Sequence, residues 1–259
     1  MIVYQDFNYP LKNENRRLHI YLPPFYDRSN ERYPVMYMFD GQNLFHDAEA
    51  TYGKSWGLEY FLDHYDKNMT VCGMECGHNG DERLSEYNPY DMSWHGHFVH
   101  GAGEETFRWL IEEVKPFMDS HFRTYGHREA TGIGGSSMGG IMSMYGAVAH
   151  NDVFSKAACL STGVFWNLSR FRKTLSMNVL SPDTRIYISW GEKEAGRAAH
   201  NGNPETDTRE ARAVYRFEHE LQEKGARTYH LFVRGGEHNE ASWERQNQKY
   251  MDFLWMNRD

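Results

Sequence analysis

Ser137 stands in Gly135-Ser136-Ser137-Met138-Gly139, a Gly-x-Ser-x-Gly pattern suited to a nucleophilic serine. A serine hydroxyl attacks poorly until a base takes its proton and a third group orients that base. The residues before it, Thr131-Gly132-Ile133-Gly134, read as a strand end, and Met138 opens an apolar stretch with helical spacing. Strand, tight turn and helix would put the serine at a helix N-terminus, where backbone N–H groups and the dipole favour negative charge. A second match, Gly53-Lys54-Ser55-Trp56-Gly57, follows residues 46–51, which form no strand pattern, so Ser55 is set aside. Ser136 is out of register with the flanking glycines.

The base should follow the elbow in the chain. Among the later histidines, His150 ends the elbow helix and His219 lies inside a helical stretch. His200 comes too early to follow an acid on a separate strand, and His230 falls within a strand-like run. His238, in Arg234-Gly235-Gly236-Glu237-His238-Asn239, lies just beyond that run, where catalytic groups of open α/β sheets sit. The acid is expected after the preceding strand, in Gly191-Glu192-Lys193-Glu194. Glu194 is preferred, because the turn begins at Gly191 and needs a few residues to swing a carboxylate over the sheet. Glu192 is the second choice, and a Ser–His dyad without an essential acid stays open. Backbone N–H groups of Met138 and Gln42 are the expected oxyanion donors, with Gly41 letting the loop after the third strand turn.

These groups need a scaffold that alternates strands and helices. Short β-branched and aromatic runs fall at 17–22, 34–39, 70–74, 130–135, 155–160, 185–190 and 227–233. Between them lie helical stretches at 57–66, 104–121, 138–148, 209–224 and 242–256. Pro116 is placed to kink or break the second of these. The alternation predicts a mostly parallel sheet with helices on both faces, as one domain over 1–259. Strands near 2–7 and 17–22 are joined by too short a loop for a parallel crossover, so they predict an antiparallel hairpin at the sheet edge. Two long polar connections, 77–103 and 195–208, are candidate functional loops.

Composition excludes several classes. Lys and Arg number 28 against 36 Asp and Glu, a net charge of −8 with no basic run, which argues against a nucleic-acid partner. No apolar stretch is long enough for a membrane helix, and the first residues lack a signal-peptide pattern. Cys72, Cys76 and Cys159 are read as buried, reduced thiols, and the protein as cytoplasmic. His95-x-His97-x-x-His100 invites a metal reading, but no matched acid or thiol accompanies it, and solvated loop histidines are expected. No metal and no cofactor are expected.

Residues 33–45 (Tyr-Pro-Val-Met-Tyr-Met-Phe-Asp-Gly-Gln-Asn-Leu-Phe), with Trp56, the Gly135–Gly140 segment and Gly235-Gly236-Glu237-His238, resemble the bacterial putative esterase family. That family includes esterase-D-type, feruloyl, acetylxylan and enterochelin-type esterases. The resemblance covers nearly the whole chain. It implies an α/β-hydrolase fold with an eight-stranded sheet, serine carboxylesterase chemistry, Ser137 and His238 as catalytic, and Glu194 as the acid. Two departures stand out. Many relatives carry His-Gly where this chain has Asp40-Gly41, and Asp is a common acid where both candidates here are Glu.

The segment 83–89, Arg-x-x-Glu-Tyr-x-Pro, also resembles the family. Arg83 either pairs Glu86 or another acid and holds the loop, or contacts substrate. Gly41, Trp56, Tyr87, Trp94 and Trp166 complete the candidate substrate contacts, the aromatics offering flat faces to a sugar or aromatic acyl group. The expected substrate is a small-molecule ester of short-chain, carbohydrate or phenolic type. An acyltransferase on the same acyl-enzyme and a non-catalytic binding protein are the alternatives. An edge strand and the aromatic content suit a homodimer.

Overall fold

Val35–Phe39 and Thr70–Met74 are buried at every position, and neither alternates polar with apolar residues. Strands read this way when both sheet faces are covered. They are β3 and β4 of a computed structural model that describes residues 1–94, 96–194 and 203–256. His95 and the first part of the 195–208 connection, with His200, lie outside the described residues. The eight-stranded sheet has the order β1-β2-β4-β3-β7-β8-β9-β10. By contacts the chain divides into two compact units, 1–133 and 134–259, and each is taken by itself.

In the first unit, β1 (Ile2–Tyr9) and β2 (Glu14–Tyr21) form the expected antiparallel hairpin, with Ile2 opposite Tyr21 and Tyr9 opposite Glu14. β2 pairs antiparallel with β4, and β3 runs parallel to β4. The helices are α1 (Leu58–Asp63), α2 (Glu82–Glu86), α3 (Gly103–Trp109) and α4 (Lys115–His121). The expected single helix over 104–121 is instead α3 and α4 joined by one π-wound turn, Leu110–Val114. Pro116, which has no N–H to donate, sits in the first turn of α4, directly after the π-wound turn. The long 77–103 connection carries α2 and a small hairpin of β5 (Met92–Trp94) and β6 (His97–Val99).

The turn after β3 is held from three sides. Asp40 adopts a left-handed backbone, φ 59°, and donates its N–H to the buried Tyr87 hydroxyl at 3.1 Å. Its carboxylate takes both arms of the Arg83 guanidinium, each at 2.7 Å. Gly41 packs so closely on β4 that a Cβ would lie 2.5 Å from the Gly73 carbonyl carbon. Glu86, the other candidate partner of Arg83, instead pairs with Arg16 at 2.6 Å and accepts the Gly77 N–H at 2.8 Å.

The second unit opens inside β7 (Thr131–Ser136), which runs into α5 (Met138–Ala149). β8 (Lys156–Leu160), β9 (Arg185–Gly191) and β10 (Arg227–Val233) follow, all parallel. Between β8 and β9 lies α6 (Leu168–Met177), a helix whose apolar stripe is narrow, with only Phe171, Thr174 and Leu175 buried. Phe171 meets Phe217 of α7 (Arg209–Glu223) with ring centroids 5.8 Å apart. The stretch 242–256 is split into α8 (Glu240–Glu244), α9 (Asn247–Met251) and a π-wound turn at Asp252–Met256. The split falls beside Gln246, whose buried amide donates to the Ser242 carbonyl and accepts from the Tyr187 hydroxyl. Among the described residues no helix is long and apolar enough to cross a membrane.

Arg83→Met should leave the Asp40 carboxylate, 7% exposed, without its cation and lower folding stability by about 2 kcal/mol. A urea titration against the parent checks this, and an unchanged midpoint would show that the pair does not hold the turn.

Candidate active site

Ser137 lies between β7 and α5 with φ 57° and ψ −118°, a backbone conformation costly for any residue with a Cβ. The chain can bend there because the neighbours are bare. A Cβ on Gly135 would lie 2.9 Å from the Gly139 carbonyl carbon, and one on Gly140 would lie 2.7 Å from the Leu160 carbonyl oxygen. That close approach lets β8 hold the bend, for Ser137 N–H donates to the same Leu160 oxygen at 3.0 Å. The serine is half-buried at the N-terminus of α5, a twelve-residue helix. Met138, buried, is the first helical residue and one of the expected oxyanion donors.

The two glutamates after β9 separate cleanly. His238 Nδ1 lies 3.0 Å from Glu194 Oε2. Glu192 points elsewhere and accepts the Gly235 N–H at 2.7 Å, bracing the turn that leads to His238. The acid-bearing turn and the histidine loop are stapled by backbone too, Glu192 N–H to Val233 O and Lys193 N–H to Gly236 O. Gly191 makes the fit possible, since a Cβ there would lie 2.6 Å from Gly236 O and 2.7 Å from Glu194 Oε1. Gly235, φ 65°, supplies the left-handed turn. Beyond His238, Asn239 caps α8 by accepting the Ser242 N–H. His238 is 47% exposed at its side chain and Glu194 13%, so the imidazole is open to solvent while the carboxylate is mostly enclosed.

Two residues outside the sequence reading join this group. Glu194 Oε1 accepts from Gly191 N–H at 2.8 Å and from Ser161 Oγ at 2.7 Å. Ser161 Oγ in turn accepts from Trp243 Nε1–H at 2.8 Å, and the indole lies edge-on to the His238 ring. No short motif marks either residue. Their positions, one past a strand end and five after the histidine, are the sole clue in the sequence.

The remaining candidates fall in varied surroundings. Gln42 and Gly41 are buried in the turn after β3. Trp56 and Tyr87 are buried at 2% exposure, and Tyr87 is engaged with Asp40. Arg83 is held by Asp40. Trp94 is half-buried on the β5–β6 hairpin, and Trp166 is 38% exposed shortly after β8. His230 pairs with Glu218 at 2.8 Å, which raises its pKa. Ser55 donates to Asp47 at 2.8 Å. The three cysteines are free and buried, and burial pushes their thiols up, so they remain protonated. His100 lies 2.8 Å from Asp91, and among the described residues no group of His, Cys, Asp or Glu is arranged to hold a metal.

A family model described as putative esterase matches residues 11–248. The chain belongs to that family. Membership makes it a carboxylic ester hydrolase acting on a small-molecule ester. The uncharacterized protein YbbA of Bacillus subtilis is 26% identical over 187 residues, covering 71% of this chain and 70% of that one. Among solved structures, an IroE-like serine hydrolase from Shewanella oneidensis has a TM-score of 0.72 at 20% identity, covering 98% of this chain and 81% of the other. The enterobactin esterase FES from Shigella flexneri, solved with enterobactin, has a TM-score of 0.75 at 15% identity. This chain is covered to 99% and spans 60% of that longer one. At such identities the two structures show a shared fold, the α/β-hydrolase architecture of esterases.

Gly191→Ala should force the Glu194 and histidine turns apart and cost about 2 kcal/mol of stability. Thermal and urea unfolding of the variant measure it, and a fully stable variant would show that the two turns tolerate separation.

Proposed function

We propose that this esterase is a serine carboxylesterase in which Ser137 is the nucleophile, His238 the general base and Glu194 the orienting acid. The observation that carries the reading is the Glu194–His238 contact at 3.0 Å, in the same unit as a serine strained at a helix N-terminus. With Nδ1–H donated to Glu194, the imidazole keeps its Nε2 lone pair free to take the serine proton. Ser137 Oγ attacks the ester carbonyl, and the developing oxyanion is met by the Met138 N–H at the start of α5. His238 hands the proton to the departing alcohol, leaving an acyl-enzyme. Water, deprotonated by His238, then releases the acid and regenerates Ser137.

The substrate class is a carbohydrate, phenolic or short-chain ester. Support comes from Trp166, an exposed flat face in the same unit as Ser137, and from the structural likeness to an enterobactin esterase. A cytoplasmic setting belongs to the same reading and is supported by the free thiols.

Turnover of p-nitrophenyl esters of graded acyl length, beside methyl ferulate and acetylated xylo-oligosaccharides, tests the reading. Ser137→Ala should lose about 10⁴-fold or more in kcat/KM, and a fluorophosphonate should phosphonylate the Ser137 peptide alone, with loss of fluoride. Glu194→Gln should cost about 10³-fold and Glu192→Gln less than about tenfold, because only the first removes the charge facing His238. Equal losses in the two glutamine variants would remove Glu194 from its role.

A further inference from the structure

Ser161 is the residue directly after β8, and its φ of 46° lies in the left-handed region. Glycine would hold that conformation without strain, so a serine there calls for a use of its side chain. The side chain has two partners, accepting from Trp243 Nε1–H and donating to Glu194 Oε1. Ser161 and Trp243 are both buried, at 6% and 5% exposure. A hydroxyl rotates about its C–O bond unless something fixes it. The indole N–H occupies one lone pair of Ser161 Oγ and leaves its O–H aimed at the carboxylate. The preceding residue, Leu160, accepts the Ser137 N–H. Two consecutive residues at the end of one strand therefore hold the backbone of the nucleophile and the side chain of the acid.

We propose that Trp243 and Ser161 form a relay that positions Glu194 for His238, a role that rests on the serine-esterase reading above. Trp243 orients the Ser161 hydroxyl. Ser161 and the Gly191 N–H together fix Oε1, and the planar carboxylate then has one direction left for Oε2, toward His238 Nδ1. Neither residue touches the reacting atoms, so both are positioning residues whose effect falls on the proton-transfer step and leaves substrate affinity unchanged.

The test measures kcat and KM on p-nitrophenyl butyrate, and unfolding temperature, for Ser161→Gly, Trp243→Phe and the double variant, with Ser137→Ala beside them. Glycine relieves the backbone strain but removes a partner from Trp243 Nε1 and from Glu194 Oε1, so the unfolding temperature first establishes that Ser161→Gly is folded at the assay temperature. Its kcat should fall about tenfold at unchanged KM, that of Trp243→Phe about threefold, and the double variant should be no slower than Ser161→Gly. The relay assigns the effect of Trp243 on Glu194 to the Ser161 hydroxyl that it orients, and its edge contact with the His238 ring is kept by the phenylalanine as an aromatic edge. Parental kcat in a folded Ser161→Gly overturns the relay, as do losses that multiply in the double variant or that appear in KM. An active Ser137→Ala overturns the serine-esterase reading and the relay with it. An inactive Ser137→Ala beside a fully active Ser161→Gly overturns the relay alone.

Discussion

The Glu194 carboxylate is the group the rest of the site depends on. A charge that is 87% withdrawn from solvent loses hydration and must be given donors in exchange. Here the donors are Gly191 N–H and Ser161 Oγ on one oxygen and the His238 ring on the other. Each comes from a different segment: the end of β9, the end of β8 and the loop after β10. Satisfying one carboxylate therefore brings three strand ends into register, and the backbone bonds between the 191–194 turn and the 233–236 turn hold that register. Parallel strands end on the same side of a sheet, so this is an arrangement the topology favours.

Close packing without side chains is the second constraint. Gly135, Gly140 and Gly191 each sit where a Cβ would come within 3 Å of backbone. Two of them bring α5 against the elbow and β8, and the third brings the acid turn against the histidine loop. Leu160 O is the shared contact, lying against Gly140 while it accepts the Ser137 N–H. In the first unit the same device recurs at Gly41 and Gly73, where the turn after β3 lies on β4 and the Arg83–Asp40 pair closes it.

Much of this was legible in the sequence because local rules and tertiary structure agree. The Gly-x-Ser-x-Gly pattern between a β-branched run and an apolar helical run gives the elbow, and Gly235-Gly236 before His238 gives a turn at a strand end. The preference for Glu194 over Glu192 rested on how much chain a turn needs; in the structure Glu194 lies against His238 and Glu192 accepts the Gly235 N–H. What stayed hidden depends on long-range contact. Ser161 and Trp243 are 82 residues apart, and a serine after a strand carries no sign of its left-handed backbone. Arg83 was readable as a loop-holding cation, but its partner is 43 residues away in the turn after β3 and not the nearer Glu86. The π-wound turn before Pro116 and the narrow stripe of α6 mark where helical periodicity alone misplaces an end or passes over an element.

The chain contains its own comparison for the elbow. At Gly53-Lys54-Ser55-Trp56-Gly57 both glycines have positive φ, 71° and 59°, and Ser55 does not. Nothing lies within 4 Å of a Cβ on Gly53, so glycine is used there for conformational freedom. The Ser55 hydroxyl is turned inward, to Asp47 and to the Phe45 carbonyl. At Gly135-Ser136-Ser137-Met138-Gly139 the assignment is reversed. Neither glycine has positive φ, Gly135 is used for space, and the strain is carried by the serine. The same five-residue pattern therefore serves two purposes, and what separates them is which residue bears the unfavourable backbone. A strained serine flanked by glycines that need only room is pushed out from the turn at the head of a helix. A relaxed serine flanked by strained glycines is free to turn inward and hold a loop. Pattern matching cannot see this difference, whereas the strand that precedes Gly135 and is missing before Gly53 carries it in the sequence.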